Sequence, residues 1–137
     1  MSVIEWRCDK RRIVLPILVF KPAPASDLTH HAVSALLDTG ASVSGVATHI
    51  AKKLALPSIG RRPLMSAQGL GQARRFLFRV GLTQPASDVA TLPFIFEETM
   101  GFELIDGTNL DAVLGMDILS QCDFELGRDG TCRLSFG

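Results

Sequence analysis

Residues 34–44 read SALLDTGASVS, and in them an apolar run stops at a carboxylate. Ala32–Leu37 has the composition of a buried strand, and Asp38-Thr39-Gly40 ends it. Taken alone, the Asp-Thr-Gly triplet is a turn signal: an aspartate closing a strand by an Asx turn. Its context makes it more informative: two apolar residues precede it, Ala41-Ser42 follow, and a glycine-rich stretch and an apolar-apolar-Gly triplet, Val113-Leu114-Gly115, come later in the chain.

Ile13–Phe20 is a short apolar run rich in β-formers. With Ala32–Leu37 it predicts a hairpin whose connection, Lys21–Thr29, is rich in Pro, Ala, Ser and Asp. ATHIAKKL at 47–54 sets Ile50 and Leu54 four apart, as one short helix does, and Leu56-Pro57 ends it. Residues 63–82 predict a second hairpin. Phe76, Phe78, Val80 and Leu82 alternate with Arg75, Leu77, Arg79 and Gly81, and Gly69-Leu70-Gly71 is expected at the tip. Thr91–Phe96 is another strand candidate. Residues 112–114, AVL, form a short strand meeting Gly115, and MDILSQ follows as a helical turn or two.

The last residues predict a register. If Arg128-Asp129-Gly130 is a three-residue loop with Gly130 left-handed, Leu126 faces Cys132, Phe124 faces Leu134 and Cys122 faces Phe136, all on one apolar face. A two-residue Asp-Gly loop would set Leu126 against Arg133, so the first register is preferred. It also keeps Cys122 and Cys132 from pairing, and both are expected to be buried, unreactive thiols.

Composition narrows the functional classes. A chain of 137 residues with 47% hydrophobic and 20% charged residues is expected to form one globular domain over 1–137. Zero formal net charge gives no footprint for nucleic acid. Cys8, Cys122 and Cys132 are too few for a disulfide framework. No C-x-x-C or H-x-x-x-H spacing occurs and His30-His31 are adjacent, so neither a metal nor another cofactor is expected. Lys10-Arg11-Arg12, an apolar run and Ala23-Pro24-Ala25 mimic a secretory signal. However, Glu5 and Asp9 lie upstream, the run is short, and Pro16 and Lys21 interrupt it. The run is therefore expected to be a core strand in a cytoplasmic protein. No stretch reaches the ~20 apolar residues of a membrane span.

Taken together, Leu36-Leu37-Asp38-Thr39-Gly40-Ala41-Ser42, the glycine-rich Gln68-Gly69-Leu70-Gly71 and Val113-Leu114-Gly115 with Met116–Ser120 behind it resemble the retroviral-type (retropepsin-like) aspartic proteases. The resemblance runs from about Ile13 to Phe136. GMDIL looks more like the cellular and bacterial single-domain relatives. The resemblance implies an all-β fold: a small closed acid-protease barrel with a flap hairpin and one or two short helices. It also implies that two Asp-containing loops meet on a two-fold axis and activate one water to hydrolyse a peptide bond.

One chain carries one such motif, so the reading demands a homodimer with an isologous interface. On this resemblance Asp38, Thr39 and Gly40 form the catalytic loop. Ala41, Ser42 and Val113 line the cleft, and Gly69, Leu70 and Gly71 close over a peptide or protein substrate. Two carboxylates about 3 Å apart share a proton, so one can act as base while the other donates. Retroviral enzymes commonly pair an Asp and an Arg where this chain has Ser42 and Met116, so that ion pair is absent. The alternative is a catalytically inactive dimerisation or peptide-binding module of the same fold; the intact Asp-Thr-Gly favours the enzyme.

Overall fold

The computed structural model describes residues 1–9, 11–66, 69–83, 92–105 and 109–137. Its strands are β1 (Ser2–Arg7), β2 (Val14–Phe20), β3 (His30–Leu37), β4 (Gly45–Ala47), β5 (Ser58–Ser66) and β6 (Gly69–Leu82), followed by β7 (Phe94–Ile95), β8 (Thr99–Leu104), β9 (Ala112–Leu114), β10 (Asp123–Leu126) and β11 (Thr131–Phe136). Two short helices, α1 (Thr48–Lys53) and α2 (Met116–Leu119), follow β4 and β9.

The larger sheet closes on itself. Strands pair in the order β2-β3-β9-β4-β8-β6, and β6 returns to pair with β2, so the expected all-β closed barrel is present. Closure buries one contiguous core, including Leu15, Ile17, Val19, Val33, Ala35, Val46, Phe78, Val80, Leu82 and Leu114, each under 7% exposed. β5 and β7 attach to β6 outside the ring. Among the described residues no helix is long and apolar enough to cross a membrane.

The expected helices and most strands lie where the pattern sets them, with informative differences. β6 is buried on both faces near its end, so Arg79 is 7% exposed instead of pointing to water. Its guanidinium is satisfied by three carbonyls, Lys21 O at 2.7 Å, Ala25 O at 3.2 Å and Asp27 O at 2.6 Å, and so pins the long β2–β3 connection. The β5–β6 register pairs Ser66 with Gly69. Gly69-Leu70-Gly71 therefore begin the returning strand rather than forming the tip. Gln68 and Thr91 lie outside the described residues.

β11 pairs with β10 as expected, with Phe124 opposite Leu134, Leu126 opposite Cys132 and Gly130 at φ +89°. Cys122 precedes β10 rather than facing Phe136, and Leu126 is 54% exposed, so the apolar face is narrower than its pattern. β11 pairs on its other edge with β1, tying residue 2 to residue 136.

Candidate active site

Asp38 sits at the end of β3, where the chain leaves the barrel and returns as β4. β9 runs between those two strands, parallel to β3 and antiparallel to β4, so the loop 38–44 straddles its end. Asp38 N–H donates to Leu114 O at 3.0 Å on one side, and Met116 N–H donates to Ala41 O at 2.7 Å on the other. Within the loop Gly40 N–H donates to Asp38 Oδ1 at 2.9 Å and Ala41 N–H to Asp38 O at 3.1 Å. The Asx turn thereby fixes the carboxylate and leaves Oδ2 uncommitted to the loop.

Gly115 is required by this crossing. A Cβ there would sit 2.7 Å from Val43 C and 2.8 Å from Ala41 O, both backbone atoms that cannot step aside. At Gly40 the nearest atom to an added Cβ is Asp38 Oδ1 at 3.2 Å, so a side chain there would press on the carboxylate itself.

Beneath the loop lies a polar lock that sequence reasoning missed. Ser44 is fully buried, and its N–H donates to both Asp117 oxygens at 3.1 Å. Its hydroxyl donates to Asp117 Oδ1 at 2.6 Å and accepts Gly115 N–H at 3.0 Å. Thr99 Oγ1 donates to Asp117 Oδ2 at 2.6 Å, and Ile118 N–H to Oδ1 at 2.9 Å. One carboxylate thus joins the loop, β8, β9 and α2. The available signal was an aspartate inside GMDIL, between a buried leucine–glycine pair and two buried apolar residues.

Asp38 is half-buried and opens into a cleft of about 380 Å³, lined also by Cys8, Asp9, Arg11, Arg12, Ile13, Leu36, Leu37 and Leu126. The side of the cleft formed by Cys8, Asp9, Arg11, Arg12 and Ile13 was not anticipated. Thr39 is exposed and lines a separate apolar recess of about 190 Å³ with Ile13, Leu37, Met116, Leu119 and Phe124. Thr39, Gly40, Ala41 and Ser42 share Asp38's loop. Val113 stands behind it, in register with Leu36 and Gly45. Gly69, Leu70 and Gly71 lie apart from this group, on the β5–β6 arm, and are not in the lining of the Asp38 cleft. Among the described residues no cluster of His, Cys, Asp and Glu could hold a metal ion.

No family model and no curated protein matches the chain. Solved structures do. A retropepsin-like aspartic protease from Rickettsia conorii superposes with a TM-score of 0.67 at 17% identity, covering 98% of this chain and 91% of that one. EIAV protease, in complex with the inhibitor HBY-793, gives 0.50 at 18% identity over 81% of this chain and 88% of that one. The retroviral protease-like domain of Ddi1 from Leishmania major gives 0.45 at 16% identity, over 84% and 82% of the two chains. The chain has the retropepsin-like fold.

Within that retropepsin-like fold, Ser42 and Met116 are both exposed and neither carries a charge, so no ion pair can join those positions. The loop and α2 are held together instead by Asp117 and Ser44. The retropepsin-like barrel thus fastens its Asp loop within the chain, through hydrogen bonds that are half-buried or buried.

Proposed function

We propose that the protein is an aspartic endopeptidase, active as a homodimer in which Asp38 of each subunit faces the same water. The observation that carries this reading is the placement of Asp38: on an Asx loop clamped on both sides of β9, half-buried, with its carboxylate at an open cleft. In the paired site one carboxylate takes a proton from the water. The other, protonated, donates to the scissile carbonyl, and the proton returns to the leaving nitrogen.

Gly40 leaves room for backbone to approach the pair, and exposed Thr39 is placed to reach the partner's loop. Ala41, Ser42 and Val113 shape the cleft, with the β5–β6 arm from Gly69 to Gly71 as the cover over a peptide or protein substrate. The apolar recess around Thr39, Met116, Leu119 and Phe124 suits the two-fold contact, and the site assembles in the cytoplasm without a metal or cofactor.

The deciding experiment is a peptide-library digest at mildly acidic pH with wild type and Asp38→Asn, with and without a statine-type transition-state mimic. Cleavage that the mimic blocks and that Asp38→Asn abolishes, with an unchanged melting curve, supports the enzyme. Cleavage by the variant at the wild-type rate refutes the aspartic mechanism. Binding of the mimic without any cleavage favours a non-catalytic peptide-binding module.

A further inference from the structure

The two ends of the chain bring two thiols together beside the Asp38 cleft. Cys132, on β11, has no exposed surface, and its Sγ lies 2.9 Å from Cys8 Sγ. Cys8 follows β1 directly, is half-buried, and donates its N–H to Gly130 O at 3.0 Å. In the β1–β11 register Trp6 faces Cys132, which makes Cys8 a diagonal neighbour of Cys132 on the same face of the sheet. Both are free thiols. A disulfide holds its sulfurs ~2.05 Å apart, so closing this pair takes a movement of roughly 0.9 Å. Cys122 is differently placed: its Sγ contacts Ile118 O at 3.5 Å, and burial pushes its thiol up to about 11.

Access is ordered. Cys8 lines the cleft that holds Asp38, whereas Cys132 is sealed behind it. An oxidant entering the cleft therefore meets Cys8 first.

We propose that Cys8 and Cys132 form a reversible dithiol–disulfide site, oxidised by hydrogen peroxide or a low-molecular-weight disulfide, that ties the first strand to the last at the wall of the Asp38 cleft. With peroxide, the Cys8 sulfur attacks the O–O bond, giving a sulfenic acid and one water. The Cys132 sulfur then displaces the hydroxyl from the Cys8 sulfur. The S–S bond forms, the S–O bond breaks, and the leaving hydroxide takes the Cys132 proton as a second water. Two thiols lose two hydrogens while the peroxide is reduced to two waters.

With a small disulfide, Cys8 forms the mixed disulfide and Cys132 releases the second small thiol. Burial pushes the Cys132 thiol up to about 12, so Cys132 is not the first to attack; its place in the resolving step comes from its contact with Cys8 Sγ at 2.9 Å. The linked residues are 124 apart in sequence, so the bond removes a large share of the unfolded chain's freedom.

The site stands whether or not Asp38 cuts peptides, so its test reads thiols and melting rather than cleavage. The full chain is reduced, freed of reductant, treated with stoichiometric hydrogen peroxide, alkylated with iodoacetamide and mapped without reduction. Alkylatable thiols are expected to fall from three to one, with Cys122 still labelled and a single peptide joining Cys8 to Cys132. The melting temperature is expected to rise by roughly 10 °C and to return with dithiothreitol. Cys8→Ser should melt with the reduced wild type and show neither crosslink nor rise. Three thiols still labelled, Cys8 ending as a sulfinic acid or mixed disulfide beside a free Cys132, or a crosslink between two chains would each overturn the proposal.

Discussion

The Ser44 hydroxyl donates to Asp117 at 2.6 Å while accepting the Gly115 N–H at 3.0 Å, so one small side chain holds the Asp38 loop to both the end of β9 and the start of α2. Removing it leaves the buried Gly115 amide without its acceptor and takes from Asp117 Oδ1 one of its three donors. Ser44→Ala is expected to cost about 2–3 kcal/mol. Asp117→Asn is expected to cost about as much, because an amide NH2 then confronts one of the donors the carboxylate accepted. Urea denaturation of the two variants measures both. A loss below about 0.5 kcal/mol for each would mean the network is satisfied by water instead.

Gly115→Ala should be more damaging than either. The added methyl lands 2.7–2.8 Å from Val43 and Ala41 backbone atoms, and relief requires parting the loop from β9. A loss of about 3 kcal/mol or more is expected. Gly60→Ala, where an added Cβ meets nothing within 4 Å but φ is +94°, supplies a control limited to backbone strain of about 1–2 kcal/mol.

The β5–β6 arm gives a paired test. Gly69 has φ +107°, whereas Gly71 lies outside the left-handed region, and at neither would a Cβ meet an atom within 4 Å. Gly69→Ala should loosen the arm by about 1–2 kcal/mol, while Gly71→Ala should be nearly neutral. Amide exchange at Leu64 and Met65, which pair with Gly71 and Leu70, reports the difference. Equal effects at the two glycines would show that backbone conformation is not what matters there.

A pH dependence follows from Glu103 on β8. The hydrogen bond from Arg74 at 2.7 Å is the main force holding its carboxyl below the usual range; burial opposes it and Thr48 adds to it. A depressed folded-state pKa stabilises above the unfolded value of 4.5 and is lost as pH falls through the lower folded value. Arg74 is 38% exposed, so solvent screening limits the pair to about 1 kcal/mol. Glu103→Gln should therefore melt below wild type at pH 7, and the gap should close as pH drops below 4.5. A gap that stays constant down to acid pH would assign the loss to packing.

On the proposed dimeric mechanism, specific activity should fall on dilution through the dimer dissociation constant. No ion pair is available at Ser42 and Met116, and the Thr39 recess is apolar, so added salt should change that midpoint little. Undiminished activity from a sedimenting monomer would exclude a site shared between chains.

The elements legible in the sequence were those whose partners are close along the chain or whose pattern is self-consistent. β2 and β3 form a local hairpin, α1 has its four-residue spacing, and Phe124 and Leu134 announce their own register across Gly130. What escaped depended on distant partners. In β1, Ile4 and Trp6 alternate with exposed or half-buried residues, but the strand has meaning only against β11 at the far end of the chain. β4 is three residues long and owes its existence to pairing with β8 and β9. The glycines at 69–71 read as a tip, yet Gly69 adopts positive φ as the first residue of the returning strand. Asp38 was readable as a candidate because its motif is contiguous. The carboxylate that braces it was not, because Ser44, Thr99 and Asp117 converge only through the fold.

Insertion of β9 between β3 and β4 also sets when the site can exist. Leu37 pairs with Leu114, so Asp38 leaves a ribosome long before the strand that positions it has been made. Until that strand threads between its neighbours, the nascent chain carries the carboxylate on an unbraced loop. Such pairings raise the contact order, and with it the time spent reaching the folded state. The same delay means that Asp38 acquires its geometry only after β9, the last strand of the ring, has been synthesised.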